Sequence, residues 1–202
     1  YGTGPGSPML AVCIPYDQND PAPGNGNMIA IPGGSREGVD KLYQKAIQLK
    51  PDFAEARLAF GVVARELGRF TTAEASFREA IALKPDFAEA HNNLGNALKD
   101  LGRLNEAEES YKKALSISPE KPGALCSMAH HLKTIGKQDE AISVYRQAIK
   151  IQPDHTESYW SMANLKTFSF EDSEIKDMEN LLSNKDLPDI GRIHLHNALG
   201  LE

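Results

Sequence analysis

Residues 88–121 read AEAHNNLGNALKDLGRLNEAEESYKKALSISPEK, and this stretch decides the fold because its landmarks return along the chain at a fixed step. Pro119 belongs to the series Pro51, Pro85, Pro119 and Pro153, each 34 residues from the next. The same step links Ala46, Ala80, Ala114 and Ala148, and it links the aromatic set Tyr43, Phe77, Tyr111 and Tyr145. Three further columns keep register: Ala73, Ala107 and Ala141; Gly61 and Gly95 with Ala129 and Ala163; and Gly68, Gly102 and Gly136. A period of this length, shared by many positions at once, marks a repeated supersecondary unit.

Each column has a physical meaning. Small residues such as Gly95 and Ala107 let two antiparallel helices approach closely, and the aromatic at Phe77, Tyr111 or Tyr145 fills the space beside them. Gly68, Gly102 and Gly136 fall where a first helix must stop, and glycine adopts the left-handed stop conformation without steric cost. The prolines close the second helix, since proline cannot donate to a continuing helical ladder. Each repeat is therefore predicted to be one helix hairpin.

These columns resemble the tetratricopeptide-repeat (TPR) family, with N-L-G-N-A-L at Asn93–Leu98 followed by Ala107, Tyr111, Ala114 and Pro119 close to its consensus. The resemblance implies an all-α, right-handed superhelical array of antiparallel helix hairpins. Complete repeats are expected at 54–87, 88–121 and 122–155, preceded by a second-helix half-repeat at 36–50, so that residues 35–155 form the regular array. Residues 156–202 are expected to hold a degenerate fourth repeat and the first helix of a next one. Tyr159, Met162 and Ala163 continue the first-helix columns there, but Lys166 stands at an apolar position. A helix is expected at about 171–183 from Ile175, Met178, Leu181 and Leu182 after the acidic start Glu171–Asp172. Ile193–Gly200, I-H-L-H-N-A-L-G, reads as another first helix, its Leu199–Gly200 pair matching Leu94–Gly95.

The run Asn164–Leu182 followed by Ile193–Gly200 resembles the junction in bacterial TPR-containing sulfotransferases. In that family the repeats precede a catalytic domain that uses a phosphorylated adenosine sulfate donor. No R-S-G-T-T-like phosphate loop occurs in the 202 residues, so the resemblance implies a substrate-recruiting region without catalytic machinery.

Residues 1–34 stand apart from the repeats. They hold six of the twelve prolines and seven of the sixteen glycines, which forbids the missing first helix of the half-repeat. Their apolar patches, Met9–Ile14 and Met28–Ile31, either drape over the half-repeat or are vector-derived. The glycine-rich stretches Gly2–Ser7 and Ile31–Ser35 lack the Gly-Lys-Ser/Thr ending that cradles phosphate. With 41% hydrophobic and 25% charged residues and no long apolar run, the composition predicts a soluble protein with no membrane span. A net charge of −6 and a pI near 5.6 argue against nucleic acid as partner. Cys13 and Cys126 show no metal-ligand or redox spacing and read as reduced thiols, and no secretory signal is visible, so a cytoplasmic protein is expected.

Candidate chemistry is sparse. His194 and His196 stand two apart on a predicted helix, and His130 and His131 are adjacent, so neither pair shares a face for metal ligation. No nucleophile is matched with a base, and neither metal nor cofactor is expected. What remains is the concave face lined by first helices. Its columns give Leu58, Val62 and Arg65; Asn92, Asn96 and Lys99; Cys126, His130 and Lys133; and Trp160, Asn164 and Thr167. Arg65, Asn92, Asn96, Lys99, His130, Lys133, Trp160 and Asn164 are the predicted peptide-binding set, because such grooves engage main chain with amides and anchor with aromatics. Arg65, Lys99 and Lys133 recur at one repeat position and predict a cationic stripe for an acidic segment. A two-carboxylate clamp would need Lys and Asn at Leu58 and Val62 and basic residues at Gly123 and Ser127. An asparagine ladder would need Asn at Ala59, Ser127 and Ser161. The expected function is a protein- or peptide-binding scaffold, with self-association through exposed end helices as a further expectation.

Overall fold

The computed structural model describes residues 10–13, 28–31, 36–165 and 168–200, with side chains from Tyr43 onward. The chain divides into two compact units, residues 1–85 and 86–202. The first holds a two-stranded antiparallel ladder, β1 (Leu10–Cys13) with β2 (Met28–Ile31), then α1 (Arg36–Leu49), α2 (Ala54–Glu66) and α3 (Phe70–Leu83). The second holds α4 (Ala88–Asp100), α5 (Leu104–Ile117), α6 (Pro122–Thr134), α7 (Gln138–Ile151), α8 (Thr156–Ala163), α9 (Asp172–Leu182) and α10 (Asp189–Leu199). The repeats are all-helical, as expected. The ladder pairs Leu10 with Ile31 and Cys13 with Met28, so the two apolar patches of the N-terminal segment pair with each other. Met9, Ile14, the glycine-rich stretches Gly2–Ser7 and 32–35, and the Cys13 side chain lie outside the described residues, as do Lys166 and Thr167. Among the described residues, no helix is long and apolar enough to cross a membrane.

Helix bounds follow the columns. The half-repeat helix expected at 36–50 is α1, and the three complete repeats are the hairpins α2–α3, α4–α5 and α6–α7. Every first helix of these repeats stops in the same way. Gly68, Gly102 and Gly136 take φ of 73°, 78° and 82°. Their N–H groups donate to the carbonyls of Arg65, Lys99 and Lys133, and the next N–H reaches back to Ala64, Leu98 and Leu132. This is the paired bond pattern that satisfies the orphan carbonyls of a helix end. Each second helix ends two residues before its proline, as α5 does at Ile117 before Pro119.

The alanine and aromatic columns form the core. Ala73, Phe77 and Ala80, then Ala107, Tyr111 and Ala114, then Ala141, Tyr145 and Ala148 are all fully buried. In the first two hairpins the contact that sets the spacing is aromatic against glycine. A Cβ placed on Gly61 would lie 2.5 Å from the Phe77 ring, and one on Gly95 would lie 2.6 Å from the Tyr111 ring. The missing side chain is the space the ring occupies, and burying such a ring stabilises by roughly 1.5–3 kcal/mol.

Beyond Pro153 the structure departs from the expected register. α8 packs on α7 and directly on α10, and α9 packs on α10. α9 is tied to α7 by Arg146, which bonds Glu174 at 2.8 Å and Glu171 at 3.1 Å and lies 5.7 Å from the Phe168 ring centroid. The Glu171 N–H donates to the Glu174 carboxylate at 2.9 Å, closing the first turn of α9. α10 starts four residues before the expected Ile193. Gly200 has φ 67° and ends α10, so its counterpart is the stop glycine Gly102 and not the helix-interior Gly95. The small residue that permits close approach is Gly191, where a Cβ would stand 3.2 Å from Leu187 and 3.4 Å from the Thr156 methyl of α8.

Two glycines separate packing from backbone strain. Gly95→Val should cost about 1–3 kcal/mol through overlap with Tyr111. Gly102→Ala, where an added Cβ meets nothing within 4 Å, should cost about 1–2 kcal/mol through φ alone. Urea denaturation of the full chain checks both, and Gly102→Asn should recover part of the second loss.

Candidate functional site

Within residues 86–202 the first helices α4, α6 and α8 touch in sequence order, which turns repeat columns into neighbours on one surface. Asn92, Asn96, Lys99, His130 and Lys133 are half-buried there, and Trp160 and Asn164 are exposed. Arg65 is half-buried in the last turn of α2, in the other compact unit. The structure therefore brings together seven of the eight predicted residues along one helix row and describes Arg65 separately.

Several of these side chains have structural tasks as well. The Asn96 Oδ1 accepts a hydrogen bond from the Tyr111 hydroxyl at 2.8 Å. One repeat earlier the same two columns hold Val62 and Phe77, which require no such bond. One repeat later they hold His130 and Tyr145, packed edge to face with ring centroids 5.6 Å apart. The Tyr145 hydroxyl is buried with no hydrogen-bond partner, and burial pushes its pKa well above the usual phenol range. His130 turns its Nε2 elsewhere, to the Ser161 hydroxyl at 2.9 Å and toward Cys126 Sγ at 3.8 Å.

Cys126 and His130 are four residues apart on α6, hence on one face, and the carboxylate of Glu157 from α8 completes a cluster whose ligand atoms lie within 4.8 Å of one another. Cys126 is buried, and burial foremost pushes its thiol pKa up to about 12, with Glu157 adding to the rise. The sequence reading missed this trio by weighing His130 against its neighbour His131. The available signal was Cys-x-x-x-His with an acidic residue 31 positions beyond Cys126, which the 34-residue step brings to the facing first helix.

At the other end of the row, Trp160 is 39% exposed and stacks on His194 of α10, with centroids 5.5 Å apart and planes 20° from parallel. Asn164 donates to the Trp160 carbonyl at 2.7 Å. A cavity of about 340 Å³ opens beside them, lined by Trp160, Ala163, Asn164, Asn197 and Gly200. Thus α10 supplies the stacking partner of Trp160.

Such a row of first helices, polar along one face and backed by a buried small-residue and aromatic core, defines a helix-repeat scaffold. Two family models, both described as tetratricopeptide repeat, match the chain, one over residues 41–86 and 58–122 and the other over 98–165. Together they span most of the chain, which belongs to the tetratricopeptide-repeat family. No curated protein matches it. Among solved structures, TTC0263, a thermophilic TPR protein in Thermus thermophilus, is 20% identical with a TM-score of 0.66, over 82% of this chain and 91% of that one. MamA is 22% identical with a TM-score of 0.57, over 82% and 87%. YrrB, a TPR protein with an unusual peptide-binding site, is 18% identical with a TM-score of 0.56, over 80% and 81%. At these identities the likeness shows the fold; none of the three is described as a sulfotransferase.

Three histidines, His131 buried and His130 and His155 half-buried, should give the unit a pH response. Burial lowers the pKa of His130, His131 and His155, against the opposing pull of Glu157 on His130 and His155 and of Glu108 on His131. His131 is fully buried, its two ring nitrogens have no hydrogen-bond partner, and Glu108 stands 3.7 Å from Nε2. A histidine whose folded pKa is depressed stays neutral while the unfolded chain takes up a proton. Stability is therefore complete above the ordinary value of 6.5 and is lost as pH falls below it. The melting temperature should drop between about pH 7.5 and 5.5, and His131→Leu should flatten part of that slope. Thermal unfolding of both proteins across this range checks the sign; a melting temperature that rises on acidification contradicts it.

Proposed function

We propose that the chain is a peptide-binding scaffold that holds an extended, acidic segment of a partner protein along α4, α6 and α8. One observation carries this reading: the three first helices are contiguous, so that Asn92, Asn96, Lys99, Lys133, Asn164 and Trp160 share a surface. Asparagine amides donate to and accept from main chain, an exposed tryptophan offers a large apolar contact at low entropic cost, and cations guide acidic side chains. Lys99 and Lys133 also lie in last helical turns, where positive charge opposes the macrodipole for about 0.3–1 kcal/mol. The two roles are compatible, since a charge that steadies a helix end still projects a field. Family membership and the peptide-binding site named for YrrB support this class of ligand.

Panning a random peptide library against the chain tests the proposal directly. Acidic peptides should dominate the selected pool, and their affinity should fall as salt rises. Lys99→Glu combined with Lys133→Glu should weaken the best of them by about tenfold or more, equivalent to about 1.4 kcal/mol, with little change in melting temperature. A pool of neutral or basic peptides, or an affinity unmoved by the double reversal, contradicts the acidic-ligand assignment.

A further inference from the structure

We propose that Cys126, His130 and Glu157 form a site for one divalent transition-metal ion of the zinc type, clamping α6 to α8. Three independent observations converge on it. The first is the donor set. A thiolate, an imidazole and a carboxylate are zinc ligands, and together they carry two negative charges that offset a dication. The second is geometry. Zn–S and Zn–N bonds of about 2.3 and 2.0–2.1 Å at a tetrahedral angle separate S from N by about 3.6 Å, and Cys126 Sγ lies 3.8 Å from His130 Nε2. Helix spacing fixes those two ligands, and Glu157 enters from the first turn of the neighbouring helix, leaving a fourth position for water or the Ser161 hydroxyl.

The third observation is the orphaned hydroxyl. In the preceding repeat Tyr111 donates to Asn96, whereas Tyr145 is fully buried, has no acceptor and packs against the His130 ring. Its phenol is in electrostatic reach of Cys126, with Ser161 beside it. A buried donor without a partner is costly. A metal-bound thiolate supplies the missing acceptor, as outer hydrogen bonds commonly do around a metal. On binding, the Cys126 thiol releases one proton to solvent, and His130 exchanges the Ser161 hydroxyl at Nε2 for the ion. The Glu157 side is exposed and provides the route in. The position is structurally apt, because it joins the last regular hairpin to α8, whose own second helix has left the repeat register.

Cobalt(II) and zinc titrations of the full chain, free of affinity tags, test the site. One cobalt ion per chain should produce the intense visible bands of a tetrahedral centre and a near-ultraviolet thiolate charge-transfer band, both abolished by zinc, and zinc should raise the melting temperature. Cys126→Ser should lose the charge-transfer band, and His130→Gln or Glu157→Gln should weaken zinc by about tenfold or more, while His196→Gln leaves it unchanged. Circular dichroism confirms that each variant remains helical. Absence of the charge-transfer band at saturating cobalt, or equal zinc affinity in Cys126→Ser and the parent chain, overturns the proposal. A melting temperature insensitive to zinc does so as well.

Discussion

The first two hairpins depend on one close contact, an aromatic ring of the second helix lying where a first-helix side chain would begin; in the third, Ala129 stands in the glycine column opposite Tyr145. Phe77 over Gly61 and Tyr111 over Gly95 sit so close that a Cβ at either glycine would overlap the ring. Once that separation is set, the alanine columns become fully buried and the left-handed glycines can turn the chain back within three residues. Repetition then follows, because a hairpin that cannot bury all its apolar surface alone gains by stacking on a copy of itself. Within residues 86–202 this stacking places α4, α6 and α8 in a row.

The same columns show how a scaffold acquires a site. The position beside the hairpin aromatic holds Val62 with Phe77, Asn96 with Tyr111 and His130 with Tyr145. In the first two cases ring and neighbour suit each other, apolar with apolar and donor with acceptor. In the third they do not: the tyrosine hydroxyl is stranded while the histidine turns to Cys126 and Ser161. Departure from the repeat pattern, against a background that keeps it, is therefore where this molecule's individual chemistry is concentrated. Trp160 marks another departure, since its column holds Asn92 and Cys126 in the repeats before it.

Legibility in the sequence followed the period. Where six columns stayed in register, the expected hairpins fell on α2–α3, α4–α5 and α6–α7, because column chemistry dictates where each helix stops. Where columns lapsed, local patterns still identified α9 and α10 but not how they pack. Gly200 resembles Gly95 in its Leu-Gly context, yet its backbone ends a helix, a distinction that φ makes and composition does not. The partner of Trp160 was missed because His194 sits 34 residues away on a helix outside the period's hairpin logic, although the step itself matched. The apolar patches around β1 and β2 were recognised without their pairing, since residues 14–27 between them are too many for a short turn to fix strand register.

A double-mutant cycle on Gly95→Ala and Tyr111→Leu, read by urea unfolding of the full chain, measures the central contact most directly. The account predicts that Gly95→Ala destabilises when the Tyr111 ring is present and becomes neutral or stabilising once the ring is removed. The coupling energy should then be about 1 kcal/mol or more, within the roughly 0.5–3 kcal/mol found for touching residues. Costs that add to within about 0.3–0.5 kcal/mol, as for independent sites, would contradict the claim that ring against glycine sets the helix spacing.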